Sequence, residues 1–212
     1  MQKHLILCGL ASIAFAASAS QAAVVANLGG GYGPFLTLTN GGLTGGSVAA
    51  LAGGQVLSGS VPYVATIPYG TSGNFLAAGP ANNGSATLTF TTPVDYLSFL
   101  WGSPDSYNLL TIKSGTSDVQ TFTASMLGIP ILSGDNTNFS QYVQFAGLSG
   151  SQITSVTFGN DPSINAFETS NFSVGSAVPE PATWAMMLIG FGGIGFSMRR
   201  RRRNPQQAFA TA

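Results

Sequence analysis

Cysteine occurs once in the 212-residue chain, as Cys8, and histidine once, as His4. From residue 23 onward there is neither. That excludes a disulfide framework from the body and removes the side chains needed for Ser-His-Asp, Cys-His and zinc chemistry. Charge is scarce too, at 7% of residues. Between residues 23 and 183 the single base Lys113 stands against Asp95, Asp105, Asp118, Asp135, Asp161, Glu168 and Glu180, a net charge of −6. A nucleic-acid partner needs a basic surface, so nucleic acid is not expected as a partner. A stretch of about 150 residues is nevertheless long enough to bury a core without covalent staples.

What the chain has in quantity is glycine, 28 residues, and apolar side chains, 44% of the total. Low charge with abundant Val, Thr, Ser, Phe and Gly predicts an all-β extracellular protein. Period-two alternation is legible from Ser85 onward, as in "SATLTFT", where Ala86, Leu88 and Phe90 share a face. Pro93 is expected to break that run before "VDYLSFLW". Further strand-like runs fall at 107–113, 119–123, 140–146, 153–159 and 164–174, and "TASMLGI" reads as one helical turn. Turn signals every ten to fifteen residues predict an antiparallel β-sandwich or jelly-roll-like domain over 23–175. Its first part, 23–80, reads as loop-rich, with one or two strands at "VVANL" and "FLTLT".

The two ends read as addresses. Lys3, the apolar run Leu5 to Ala17 and the small residues leading to Ser20-Gln21-Ala22 predict a signal peptide over 1–22. Cleavage after Ala22 or Ala23 calls for the Sec translocon and signal peptidase. At the other end, 176–183 is a spacer and 184–198 an uncharged apolar segment, expected as one transmembrane helix. With Ala182 and Thr183 it reaches about 25 Å as a helix, the short end of what spans a bilayer. Arg199, Arg200, Arg201, Arg202 and Arg203 open the tail 199–212. They act as a stop-transfer block, which places that tail in the cytoplasm and the N-terminal side outside the inner membrane. Gly190, Gly192 and Gly195 spell GxGxxG, but no βαβ unit surrounds them, and they read as glycines of an apolar span.

Pro179, Glu180, Pro181, Trp184 and Ala185, followed by the apolar span and the Arg cluster, resemble the PEP-CTERM sorting signal in its Pro-Glu-Pro-x-x-Trp-Ala form. The resemblance implies exosortase as a partner. It also implies export, a final location on the cell surface or outside the cell, and a context of exopolysaccharide and biofilm. A looser resemblance, to a β-sandwich module of such surface proteins, rests on "GTSGNFLA" at 70–77, "WGSPDSYNLLTI" at 101–112 and "AFETSNF" at 166–172. The last differs from the usual Phe-Glu-x-Asp-Asn in having Ser170.

These readings predict a secreted surface or matrix protein that is not an enzyme, with no catalytic residue, metal site or cofactor assigned. A carbohydrate-binding or calcium-dependent adhesive module is the alternative. For it, Tyr63, Tyr69, Tyr107, Tyr142 and Trp101 are candidate sugar-stacking rings, though Trp101 reads first as core. Calcium would take its oxygens from "GDNTN" at 134–138, or from Glu168 with Asn171. A carboxylate-dependent glycosidase would need two of Asp105, Glu168 and Asp95 to face one cleft. Ice binding finds no regular Thr-x-Thr array to support it.

Overall fold

A computed structural model describes residues 23–115, 118–132, 136–148, 150–175 and 189–191. Among them are thirteen strands. The first six are β1 (Ala23–Leu28), β2 (Leu38–Thr39), β3 (Gly42–Leu43), β4 (Ala49–Ala52), β5 (Gln55–Leu57) and β6 (Phe75–Ala78). The rest are β7 (Ala86–Val94), β8 (Tyr96–Gly102), β9 (Asn108–Ser114), β10 (Asp118–Phe122), β11 (Ser140–Leu148), β12 (Ile153–Asn160) and β13 (Phe167–Gly175). One sheet has the order β1-β11-β8-β13-β6-β5 and the other β10-β9-β12-β7-β4-β3-β2. Every pairing is antiparallel.

The inner faces of the two sheets close on one core, as alternation along each strand requires. Leu97, Phe99, Trp101, Val143, Phe145, Phe167 and Phe172 come from the first sheet, and Leu88, Leu110, Ile112, Val156 and Phe158 from the second. Phe158 joins them: its ring meets Phe99 edge-on at 5.2 Å and Phe167 at 5.4 Å. Trp101 stacks on Phe167 at 4.4 Å and is fully buried. Each such ring contributes about 2–3 kcal/mol on leaving water.

Two expectations are corrected. Pro93 does not end a strand, because β7 runs through it to Val94. It lies where the ladder slips, between the pairs Ile153–Val94 and Ser155–Thr89, so no regular hydrogen bond is asked of its missing N–H. The segment 23–80 is loop-rich as expected but holds six strands, β1 to β6, where one or two were expected. Gly53 and Gly54, both at positive φ (70° and 64°), turn the chain from β4 in one sheet to β5 in the other. A Cβ at Gly53 would sit 2.2 Å from the Ser85 carbonyl oxygen. The helical turn within "TASMLGI" is present at Ser125–Leu127.

Strand direction defines two ends. Glu168 pairs with Gly102 at one, and Gly175 pairs with Tyr96 at the other. Ala23 pairs with Leu148 at that second end. The described body therefore begins and finishes on the same side.

Candidate functional site

At the end remote from Gly175, the two motifs "WGSPDSYNLLTI" and "AFETSNF" meet. Glu168 stands on β13 opposite Gly102 and Ala77, on the face of its sheet turned away from the core. The loop 58–74 lies over it. Gly102 is what lets the loop approach, since a Cβ there would fall 2.9 Å from the Pro68 ring. The loop has a small core of its own, with Ala65 over Phe75, Ala77 and Ala166, and Val64 and Ile67 against them.

Glu168 is 5% exposed, and its Oε1 accepts the Thr66 N–H at 3.1 Å. Burial pushes its carboxyl up to about 7; the nearby charge of Asp105 adds to this and the Thr66 hydrogen bond opposes it. Asp105 accepts hydrogen bonds from the Tyr107 hydroxyl and, at 2.9 Å, from Asn136 Nδ2. Burial first, then Asp105, raises the Tyr107 hydroxyl above the ordinary phenol range. Asn108 is the hub beneath. Its Oδ1 accepts the Trp101 indole N–H at 3.2 Å and the Asp105 N–H at 2.8 Å. Its Nδ2 donates to Asn160 Oδ1 at 2.9 Å and to the Ala166 carbonyl at 3.3 Å.

Of the three acids singled out, Asp105 and Glu168 come within electrostatic reach, while Asp95 lies at the opposite end, accepting from Gln152 Nε2 at 3.0 Å. A carboxyl pair with one member titrating near neutrality has the electrostatics of an acid–base couple. Here, however, each Asp105 oxygen already receives a donor and Glu168 lies beneath a loop. The chemistry on display is fastening: the carboxyl groups tie three loops to the sheet end. Of the candidate calcium pair, Glu168 accepts the Thr66 N–H and Asn171 is engaged elsewhere. The bulge in β13 sets Asn171 at φ 53° and turns its Nδ2 to the Tyr142 hydroxyl at 2.7 Å. From "GDNTN", Asn136 joins Asp105, while Asp135 lies outside the described residues. Among the described residues, no group of three or more His, Cys, Asp or Glu could hold a metal.

The candidate stacking rings divide. Trp101 is core, and Tyr107 turns onto Asp105. Tyr142 is half-buried and stacks on Phe35 at 6.1 Å. Tyr63 and Tyr69 are exposed on the loop 58–74. Sequence reasoning missed Tyr32 and Phe35, which ride on a strap, 29–36, drawn across the same outer face. Gly29 N–H donates to the Tyr142 carbonyl at 2.8 Å and Leu36 N–H to the Phe172 carbonyl at 2.8 Å, while Ser173 Oγ donates to the Tyr32 carbonyl at 2.9 Å. A Cβ on Gly31 would stand 2.7 Å from the Tyr142 ring. "GGGYG" is thus a close-approach signal, not a loop signal.

The signal peptide over 1–22, the sorting residues Pro179, Glu180, Pro181, Trp184 and Ala185, and Arg199 to Arg203 lie outside the described residues. Among those described, no helix is long and apolar enough to cross a membrane. No curated protein and no solved structure matches the chain. A family model described as the PEP-CTERM protein-sorting motif matches residues 177–202. The chain therefore carries the sorting motif of PEP-CTERM proteins, two residues beyond the end of its last strand.

Proposed function

We propose that this is an exported, non-enzymatic protein that exosortase sorts to the cell surface or to an exopolysaccharide matrix. The observation that carries the reading is the sorting motif at 177–202, which follows directly on β13. Only residues 176–181 separate Gly175 from the apolar stretch beginning at Ala182. Fully extended, they reach about 20 Å, so the Gly175 end of the sandwich would be held against the membrane until the tail is cut. The start of the body fits the same arrangement. Ala23 and Gly175 are three strand spacings apart, about 15 Å, on that same end. A chain emerging from the translocon could then close its sandwich with both ends still at one membrane surface. In this reading Pro179, Glu180 and Pro181 keep the cleavage region extended. Trp184 and Ala185 begin the span, Arg199 to Arg203 stop transfer, and Ala22 or Ala23 ends the signal.

The test is to express the chain with and without exosortase and weigh the product. The reading expects a shorter C-terminus only when the enzyme is present. Identical masses would refute it.

A further inference from the structure

All four exposed aromatic side chains of the described body (Tyr32, Phe35, Tyr63 and Tyr69, respectively 70%, 42%, 105% and 58% exposed) sit on the two segments that cover the outer face of one sheet. Phe35 packs on Tyr142, but the exposure of Tyr32, Tyr63 and Tyr69 is not what folding alone requires, because both segments are also anchored by other atoms. The strap is held by the backbone hydrogen bonds of Gly29 and Leu36. The loop is held by Thr66 on Glu168, by Ile67 N–H on Ser60 Oγ at 2.9 Å, by the Val61–Ala65 bridge and by Asn82 Nδ2 on the Val64 carbonyl. Tyr63 makes the point most sharply. It stands fully in solvent at φ 61°, a left-handed conformation in which a bulky side chain is an outlier and glycine would be unstrained.

The charge of this face narrows what it could meet. Neither 29–36 nor 58–74 contains a charged residue. The six strands beneath contain one, Glu168, which is buried. Around this neutral face the body is net negative. An anionic polymer would be repelled and an acidic lipid surface finds no cation. Rigid aromatic rings among hydroxyl and amide groups suit a ligand with apolar C–H faces and neutral hydroxyl edges. The position agrees: Thr66 and Pro68 lie over Glu168 and Gly102, at the end remote from both Ala23 and Gly175.

We propose that the outer face formed by the strap 29–36 and the loop 58–74 is a stacking surface for a neutral polysaccharide, with Tyr63 and Tyr69 at its outward end and Tyr32 and Phe35 behind them. This rests on the surface-protein reading and adds the ligand class to it. The rings supply area at little entropic cost, because the strap and loop are already fixed before binding.

The test uses the full chain in detergent, run by affinity electrophoresis through gels containing dextran, mannan or alginate. At least one of the two neutral polymers should retard it, without sensitivity to added salt, and alginate should not. Tyr63→Ala and Tyr69→Ala should each weaken retardation about tenfold, the loss of one stacked ring. The Tyr63→Phe and Tyr69→Phe chain should keep it. Tyr32→Ala, on a separately anchored segment, provides a second readout if the loop variants melt early. The proposal is overturned by retardation in alginate alone, by none in either neutral polymer, or by equal retardation of the alanine variants. It is also overturned if those variants abolish a dimer instead, which would assign the face to a second copy. Exosortase-dependent shortening of the C-terminus is scored separately, so failure here is distinguishable from failure of the sorting reading.

Discussion

Replacing Glu168 by Gln isolates the electrostatics of the loop-fastening end. Gln keeps the shape and the oxygen that accepts the Thr66 N–H, and it removes the titration. The carboxyl moves from an ordinary 4.5 to about 7 in the folded protein. At roughly 1.4 kcal/mol per pK unit, this shift makes the buried charge cost roughly 3 kcal/mol once it is fully formed. The sign follows from proton uptake. The folded state holds the Glu168 proton at a pH where the unfolded chain has released it, so the stabilisation is complete below about pH 4.5. It is lost as pH rises through about 7. Urea unfolding at a series of pH values reads this directly. The parent protein should lose stability between pH 5 and 8, while Glu168→Gln should be flatter over that window and the more stable of the two at pH 8. A parent protein that gains stability over the window, or a variant that is less stable at pH 8, would refute the reasoning.

Two further substitutions probe the frame. Gly31→Ala forces a Cβ to 2.7 Å from the Tyr142 ring at φ 72°, and should cost about 1–3 kcal/mol in urea unfolding; no cost would mean that the strap does not press on the sheet. Trp101→Phe keeps a core ring but removes the indole N–H from Asn108 Oδ1. It should destabilise by about 1–3 kcal/mol, and Asn108→Ala on top of it should cost less than Asn108→Ala alone. A Tyr63 and Tyr69 double alanine variant should lose neutral-polysaccharide binding with an unchanged melting temperature, since neither ring is buried.

Much of the second half of the sandwich was legible. The runs at 107–113, 119–123, 140–146 and 153–159 fall on β9, β10, β11 and β12 within two residues at each boundary. Those strands have five to nine residues, enough for period-two alternation to show. In the first half "VVANL" was legible as β1, but β2 and β3 have two residues each and β5 three, too short for any period. The glycines of that half were read as loop formers, whereas Gly30, Gly31, Gly53 and Gly54 mark places where backbone passes close to other atoms. For the site, sequence singled out Asp105, Glu168 and Trp101 but could not show that Asp105 and Glu168 converge. That depends on the pairing of β8 with β13, in which Gly102 meets Glu168 far along the chain, and this leaves no local pattern. The bulge that brings Asn171 to the Tyr142 hydroxyl was equally invisible. Tyr32 and Phe35 were missed because exposure of a ring is decided by what covers it.

The central claim is that the tail carrying the sorting motif is an address, cut from the working protein. Its most direct test is the intact mass of the mature protein recovered from its own cell envelope. The account predicts a chain that begins at Ala23 or Val24 and has lost Arg199 to Arg203. A mass of 21.6 kDa, that of the full 212 residues, or any mature form still ending at Ala212, would contradict it.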